Sequence, residues 1–183
     1  DGTSLDIVHG NLSPARILVT REGTIKLLDF GLRSASSDEA AELPYRSPEQ
    51  VREEPADPRS DLFSLGTILW ELLTRESLFK RASSVDTLAA IETDYPAPPS
   101  TVRLDVPPEL DAIVLKLLGK APRARYQSAD DVLVDIEALA TKLGFQISTA
   151  DLARMMRLWF GAKPDVSKLE SDIVVAGVHL EAE

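Results

Sequence analysis

No cysteine occurs among the 183 residues, which excludes a disulfide framework and a thiolate metal site. Positive charge is scarce: 20 lysines and arginines stand against 30 aspartates and glutamates, a formal net charge of -10. A nucleic-acid binder needs a basic footprint for the phosphates, and an anionic membrane surface disfavours an acidic chain, so neither is expected as a partner. No apolar run approaches the roughly 18 residues of a membrane span, and no signal-peptide pattern is present. Aromatic residues make up only 5%, yet 44% hydrophobic and 27% charged content is that of a soluble globular domain able to bury one good core. Methionine occurs only as Met155 and Met156. The sequence therefore reads as a piece of a longer translated protein, with a processed or engineered start as the alternative, and a cytoplasmic setting is expected.

The local patterns predict a mainly helical chain with one small β-hairpin. Ile17-Leu18-Val19-Thr20 and Thr24-Ile25-Lys26-Leu27-Leu28 are β-prone runs around Arg21-Glu22-Gly23, with glycine in the tight turn. From Arg33 to Glu42 the residues are small, polar and acidic without a period, which predicts a loop. Asp61 to Leu73 is apolar almost all the way round and reads as a helix buried on every side. Three amphipathic helices are expected after it. One starts at Pro107-Pro108 and ends at Gly119; the next two start at Ser128 with Asp131 and at Ser148 with Asp151, two capping boxes. A proline-rich connector from Asp94 to Pro108 is expected to be extended, and Ile173-Val174-Val175-Ala176 reads as a short strand.

Five blocks carry a family resemblance. His9-Gly10-Asn11-Leu12-Ser13-Pro14-Ala15-Arg16 has the frame of a catalytic loop, H-R-D-x-x-x-x-N, followed by its strand. Leu28-Asp29-Phe30-Gly31 is similar to the D-F-G motif, and Tyr45-Arg46-Ser47-Pro48-Glu49-Gln50 to the A-P-E block. Ser60-Asp61-Leu62-Phe63-Ser64-Leu65-Gly66 resembles the start of a central buried helix, and Arg123-Ala124-Arg125-Tyr126-Gln127-Ser128 a late arginine motif of bacterial members. In this order and spacing, from about Ile7 to Leu143, the chain resembles the C-terminal lobe of a bacterial-type serine/threonine protein kinase. No glycine-rich loop, V-A-I-K lysine or partnering glutamate helix lies within it, so the N-terminal lobe is absent from these residues. The expected division is a kinase-like C-lobe over 1–145 and a helical extension with a tail over 146–183.

The resemblance assigns roles position by position. The aspartate that accepts the substrate hydroxyl proton is Asn11 here, and a carboxamide cannot take a proton at neutral pH. Loss of a general base typically costs about 10²–10⁴ in rate. Arg16 stands where an asparagine would hold a magnesium ion, and Gly10 removes the arginine that clamps a phosphorylated activation loop. Ser34, Ser36 and Ser37 are accordingly read as ordinary loop serines. Asp29 is either a metal ligand or a structural acid paired with Arg16, the second being favoured. His9 and Phe30 imply a packing contact in an internal spine. Glu49 and Arg125 imply a buried ion pair, and Asp61 hydrogen bonds to the backbone of the catalytic loop. Ala41-Glu42-Leu43-Pro44 puts an acid in the usually small-residue platform that docks peptide substrates.

The expectation is a pseudokinase and not an enzyme: a signalling module for interaction or regulation, with no functional catalytic residue among His9, Gly10, Asn11 and Arg16 and no cofactor. The alternative is half of an unconventional serine/threonine kinase or nucleotide-transfer enzyme whose ATP-binding lobe lies upstream, with ATP and magnesium as its ligands. Expected partners are other proteins, the missing N-terminal half or a second copy of the chain. Met155, Trp159 and Phe160 form an apolar stripe on the last capped helix, read either as packed on the lobe or as a docking face.

Overall fold

A computed structural model describes residues 7–30, 39–145 and 148–161. Gly31, Ser34, Ser36, Ser37 and the strand expected at Ile173–Ala176 lie outside the described residues. The fold is mostly helical with one two-stranded sheet, β1 (Ile17–Val19) and β2 (Ile25–Leu27). Its helices are α1 (Glu39–Glu42), α2 (Pro48–Val51), α3 (Pro58–Thr74), α4 (Ser84–Thr93), α5 (Pro99–Val102), α6 (Glu109–Leu117), α7 (Ala129–Leu143) and α8 (Thr149–Phe160). Short 3₁₀ turns precede β1, follow α1 and precede α7.

Helix α3 organises the larger of two compact units, which takes residues 1–18 and 25–146. Asp57 caps its start by accepting from the Arg59 N–H, Pro58 occupies its first turn, and Arg75 ends it in the left-handed region at φ 64°. Phe63, Trp70, Phe79, Ile91, Val114 and Leu118 close into one core cluster, while Leu62, Ile113, Leu117, Tyr126 and Val132 form a second. Gly66 lets α3 and α6 approach, since a Cβ there would lie 2.8 Å from the Leu117 Cβ. The Trp70 indole N–H is satisfied by the Ala97 carbonyl at 2.8 Å.

The smaller unit takes residues 19–24 and 147–183. Gly23, at φ +79°, sits so close to α8 that a Cβ would meet the Thr149 carbonyl oxygen at 2.2 Å. Arg21 donates to the carbonyls of Gly161 and Phe160 at 2.8 and 3.4 Å, satisfying the end of α8. Ala153 is buried, whereas Leu158, Trp159 and Phe160 are exposed.

Three readings of the sequence are corrected, and one helix is added. The end of the expected loop, Glu39–Glu42, is a helical turn. The connector between Asp94 and Pro108 is interrupted by α5, because Pro99 at the first helical position is compatible with a turn of helix. Helix α3 is not buried all round: Leu72 emerges into solvent near its end. Helix α4 was not anticipated, although Ser83 caps it by accepting from the Asp86 N–H.

Candidate active site

The catalytic-loop frame is held from three directions. Asp61, in the first turn of α3, accepts from the backbone N–H groups of His9 (2.7 Å) and Gly10 (2.9 Å). Burial pushes its carboxyl above the usual carboxylate range, against the pull of those two donors. Gln50 of α2 donates to the Gly10 carbonyl at 2.7 Å. The His9 Nε2 donates to the Leu28 carbonyl at 2.8 Å, which leaves Nδ1 to accept from the Asn11 N–H at 3.4 Å. The His9 ring also lies 4.7 Å from that of Phe30, tilted by 49°, although Phe30 itself is half exposed.

Beneath this loop sits the Glu49–Arg125 ion pair. Arg125 grips both carboxylate oxygens at 2.7 Å, and Ser60 Oγ adds a third hydrogen bond at 2.6 Å. Burial alone would raise the Glu49 carboxyl, but the bonds from Arg125 and Ser60 outweigh it and hold Glu49 below its ordinary range.

The polar centre contains four side chains. Arg16, buried on the loop, reaches Asp29 Oδ2 with Nη1 and Glu42 Oε1 with Nη2, both at 2.6 Å. Asn11 Nδ2 donates to the other oxygen of Glu42 at 2.8 Å. Asp29 adopts a left-handed backbone at φ 61°, uncommon outside glycine, which turns its carboxylate toward Arg16. Its side chain is 54% exposed, against 12% for Glu42 and 6% for Arg16. The Arg16 Nε and the Ser13 Oγ are buried without a hydrogen-bond partner.

This arrangement does not fit a pair of magnesium ions. A guanidinium holds Asp29, and no group of three or more histidines, cysteines, aspartates or glutamates that could hold a metal ion occurs among the described residues. A divalent ion 4 Å from that cation would meet about 8 kcal/mol of repulsion at an effective dielectric constant near 20.

Glu42 is the site residue that sequence reasoning missed. It stands out in the sequence only as an acid on the substrate platform, and Arg16 only as a cation in the loop. Folding brings the two departures together as a charge pair. Met155, Trp159 and Phe160 take no part in this cluster; they lie on α8, where Trp159 is 67% exposed.

Residues 4–135 match the protein kinase domain. The chain belongs to the protein kinase family. A probable serine/threonine-protein kinase of Streptomyces coelicolor is 40% identical over 171 residues, covering 87% of this chain and 25% of that protein. The serine/threonine-protein kinase PknB of Mycolicibacterium smegmatis is 39% identical over 140 residues, covering 71% of the chain and 22% of its own length. PknB of Mycobacterium tuberculosis is 36% identical over 140 residues, with the same shares. The Streptomyces match covers more of this kinase-family chain than the domain match does, so it extends beyond residues 4–135. The chain spans about a quarter of the length of these relatives.

These findings overturn the expectation that the chain is not an enzyme. Its family is an enzyme family and its relatives are named serine/threonine-protein kinases. Asn11 and Arg16 lie on a loop whose backbone is held by Asp61 and Gln50. Phosphoryl transfer depends chiefly on positioning and electrostatics, to which a scaffold of this kind contributes. No helix among the described residues is long and apolar enough to cross a membrane.

Proposed function

We propose that this chain is the C-terminal-lobe half of an unconventional serine/threonine kinase. Residues 1–145 form the substrate-side lobe and 146–183 a helical extension. The nucleotide-binding lobe, with its glycine-rich loop and strand lysine, lies outside these 183 residues. ATP is the phosphoryl donor and a serine or threonine hydroxyl the acceptor, which sets the work of the domain in the cytoplasm. Asn11 orients the acceptor hydroxyl, and Arg16 supplies fixed positive charge beside Asp29.

The observation that carries this reading is the anchoring of the loop by Asp61 through the His9 and Gly10 N–H groups. A half-buried carboxylate fixing two successive backbone amides costs desolvation free energy, and it serves to hold one loop geometry. The supporting frame continues through Gln50 and the Glu49–Arg125 pair into the helical core.

The test is phosphotransfer by the full-length gene product, with radiolabelled ATP and a serine/threonine peptide mixture. Incorporation that disappears in Asp61→Asn is the expected result, provided that the variant still melts cooperatively. No incorporation by the wild-type protein, across divalent ions and in their absence, refutes the proposal.

A further inference from the structure

We infer that Glu42 is the general base of this site, the carboxylate absent from position 11 being supplied by the activation segment. The inference rests on the kinase reading above. Asn11 occupies the position where the family carries its proton-accepting aspartate, and an amide cannot accept that proton. Yet a carboxylate lies one hydrogen bond away: Glu42 Oε2 accepts from Asn11 Nδ2 at 2.8 Å.

The geometry of Glu42 suits the task. It is the last residue of α1, leading directly into the turn at Leu43–Tyr45. Leu43 and Pro44 are buried, so that turn is fixed to the core. Arg16 holds Oε1 at 2.6 Å, and Asn11 is the donor to Oε2, so the carboxylate is oriented by both ends. Each carboxylate oxygen can accept about two hydrogen bonds, which leaves Oε2 a lone pair for a third group. The side chain is 12% exposed, not sealed. An acceptor hydroxyl placed beside Asn11 is therefore within reach of Oε2.

In the step, the serine or threonine O–H gives its proton to Glu42 Oε2 as its oxygen forms a bond to the γ-phosphorus of a nucleoside triphosphate. The bond from that phosphorus to the β–γ bridging oxygen breaks, and the nucleoside diphosphate leaves with the electron pair. The protonated Glu42 then returns its proton to water.

The experiment uses the full-length gene product and compares wild type, Glu42→Gln, Glu42→Asp, and Glu42→Gln combined with Asn11→Asp. Glutamine keeps the size and an acceptor for Arg16 but cannot take the proton. Glu42→Gln is expected to lower kcat by about 10²–10⁴-fold with the KM for ATP unchanged, and to flatten the acidic limb of the pH–rate profile. Restoring a carboxylate at position 11 in that background should recover kcat and the limb together, which a merely structural role for Glu42 would not produce. Should Glu42→Gln fail to fold, Glu42→Asp is decisive: it moves the carboxylate away from Asn11 and should lower kcat while keeping the limb. A folded Glu42→Gln or Glu42→Asp with wild-type kcat overturns the inference and leaves the kinase reading standing. Inactivity of the wild type refutes the kinase reading and this inference with it.

Discussion

Arg125→Ala removes the cation that ties the activation segment to the helical base, and its cost can be worked from the contacts. The Arg125 side chain is fully buried, and its donors make five hydrogen bonds: two to Glu49, and one each to the carbonyls of Gly119, Arg59 and Lys120. Its guanidinium also lies 4.9 Å from the centre of the Phe63 ring. Truncation leaves the Glu49 carboxylate buried with Ser60 as its only side-chain donor, a loss of the kind that costs about 3–5 kcal/mol. Each carbonyl that water fails to reach adds about 1–3 kcal/mol. Against a total stability of about 5–15 kcal/mol, the lower bound alone is severe. At a urea slope of about 2 kcal/mol/M, it lowers the unfolding midpoint by roughly 1.5–2.5 M. Arg123→Ala, two residues away and exposed, should stay within about 0.5 kcal/mol of wild type. Urea melts followed by helical circular dichroism measure both variants. Removing both charges together, as Arg125→Met with Glu49→Leu, should cost much less than Arg125→Ala alone. Small and equal effects from Arg125→Ala and Arg123→Ala would refute the reasoning.

Two further outcomes follow from the same structure. Because Glu49 is held below its ordinary value of 4.5, the unfolded chain binds its proton more readily; the contribution of Glu49 is complete above that value and is lost as pH falls through the lower folded value. Urea midpoints should therefore drop on acidification from about pH 6 to about pH 3, and a flat response would count against the pair. Gly66→Ala should destabilise the larger unit by about 1–3 kcal/mol, because its new methyl meets the Leu117 Cβ at 2.8 Å and overpacks the α3–α6 contact. A gain from improved helix propensity, read as a raised melting temperature, would show that α6 yields freely.

The local features were legible where chemistry acts over a few residues. Ser128 with Asp131 and Ser148 with Asp151 form the capping boxes that their spacing suggests, and Gly23 and Gly144 take the left-handed turns that end β1 and α7. Helix α4 escaped notice because Ala89, Ala90, Thr87 and Thr93 give it a weak apolar face, although Ser83 and Asp86 carry a start signal. Leu72 escaped because an all-apolar stretch does not say where a helix leaves the core.

The sequence by itself determined the family, the order of its motif blocks, and that position 11 carries an amide and position 16 a cation. These are matters of residue identity and spacing along the chain. Only the tertiary structure decided that Arg16 and Glu42 belong together. They are 26 residues apart, and which charges meet across that distance depends on where α1 and the catalytic loop are packed. Long-range placement is set by burial of Leu43 and Pro44 and by the Glu49–Arg125 tie beneath them, not by any local preference of either residue. That is why an acid that looked like an obstacle on the substrate platform is found, in the fold, hydrogen-bonded to the Asn11 amide.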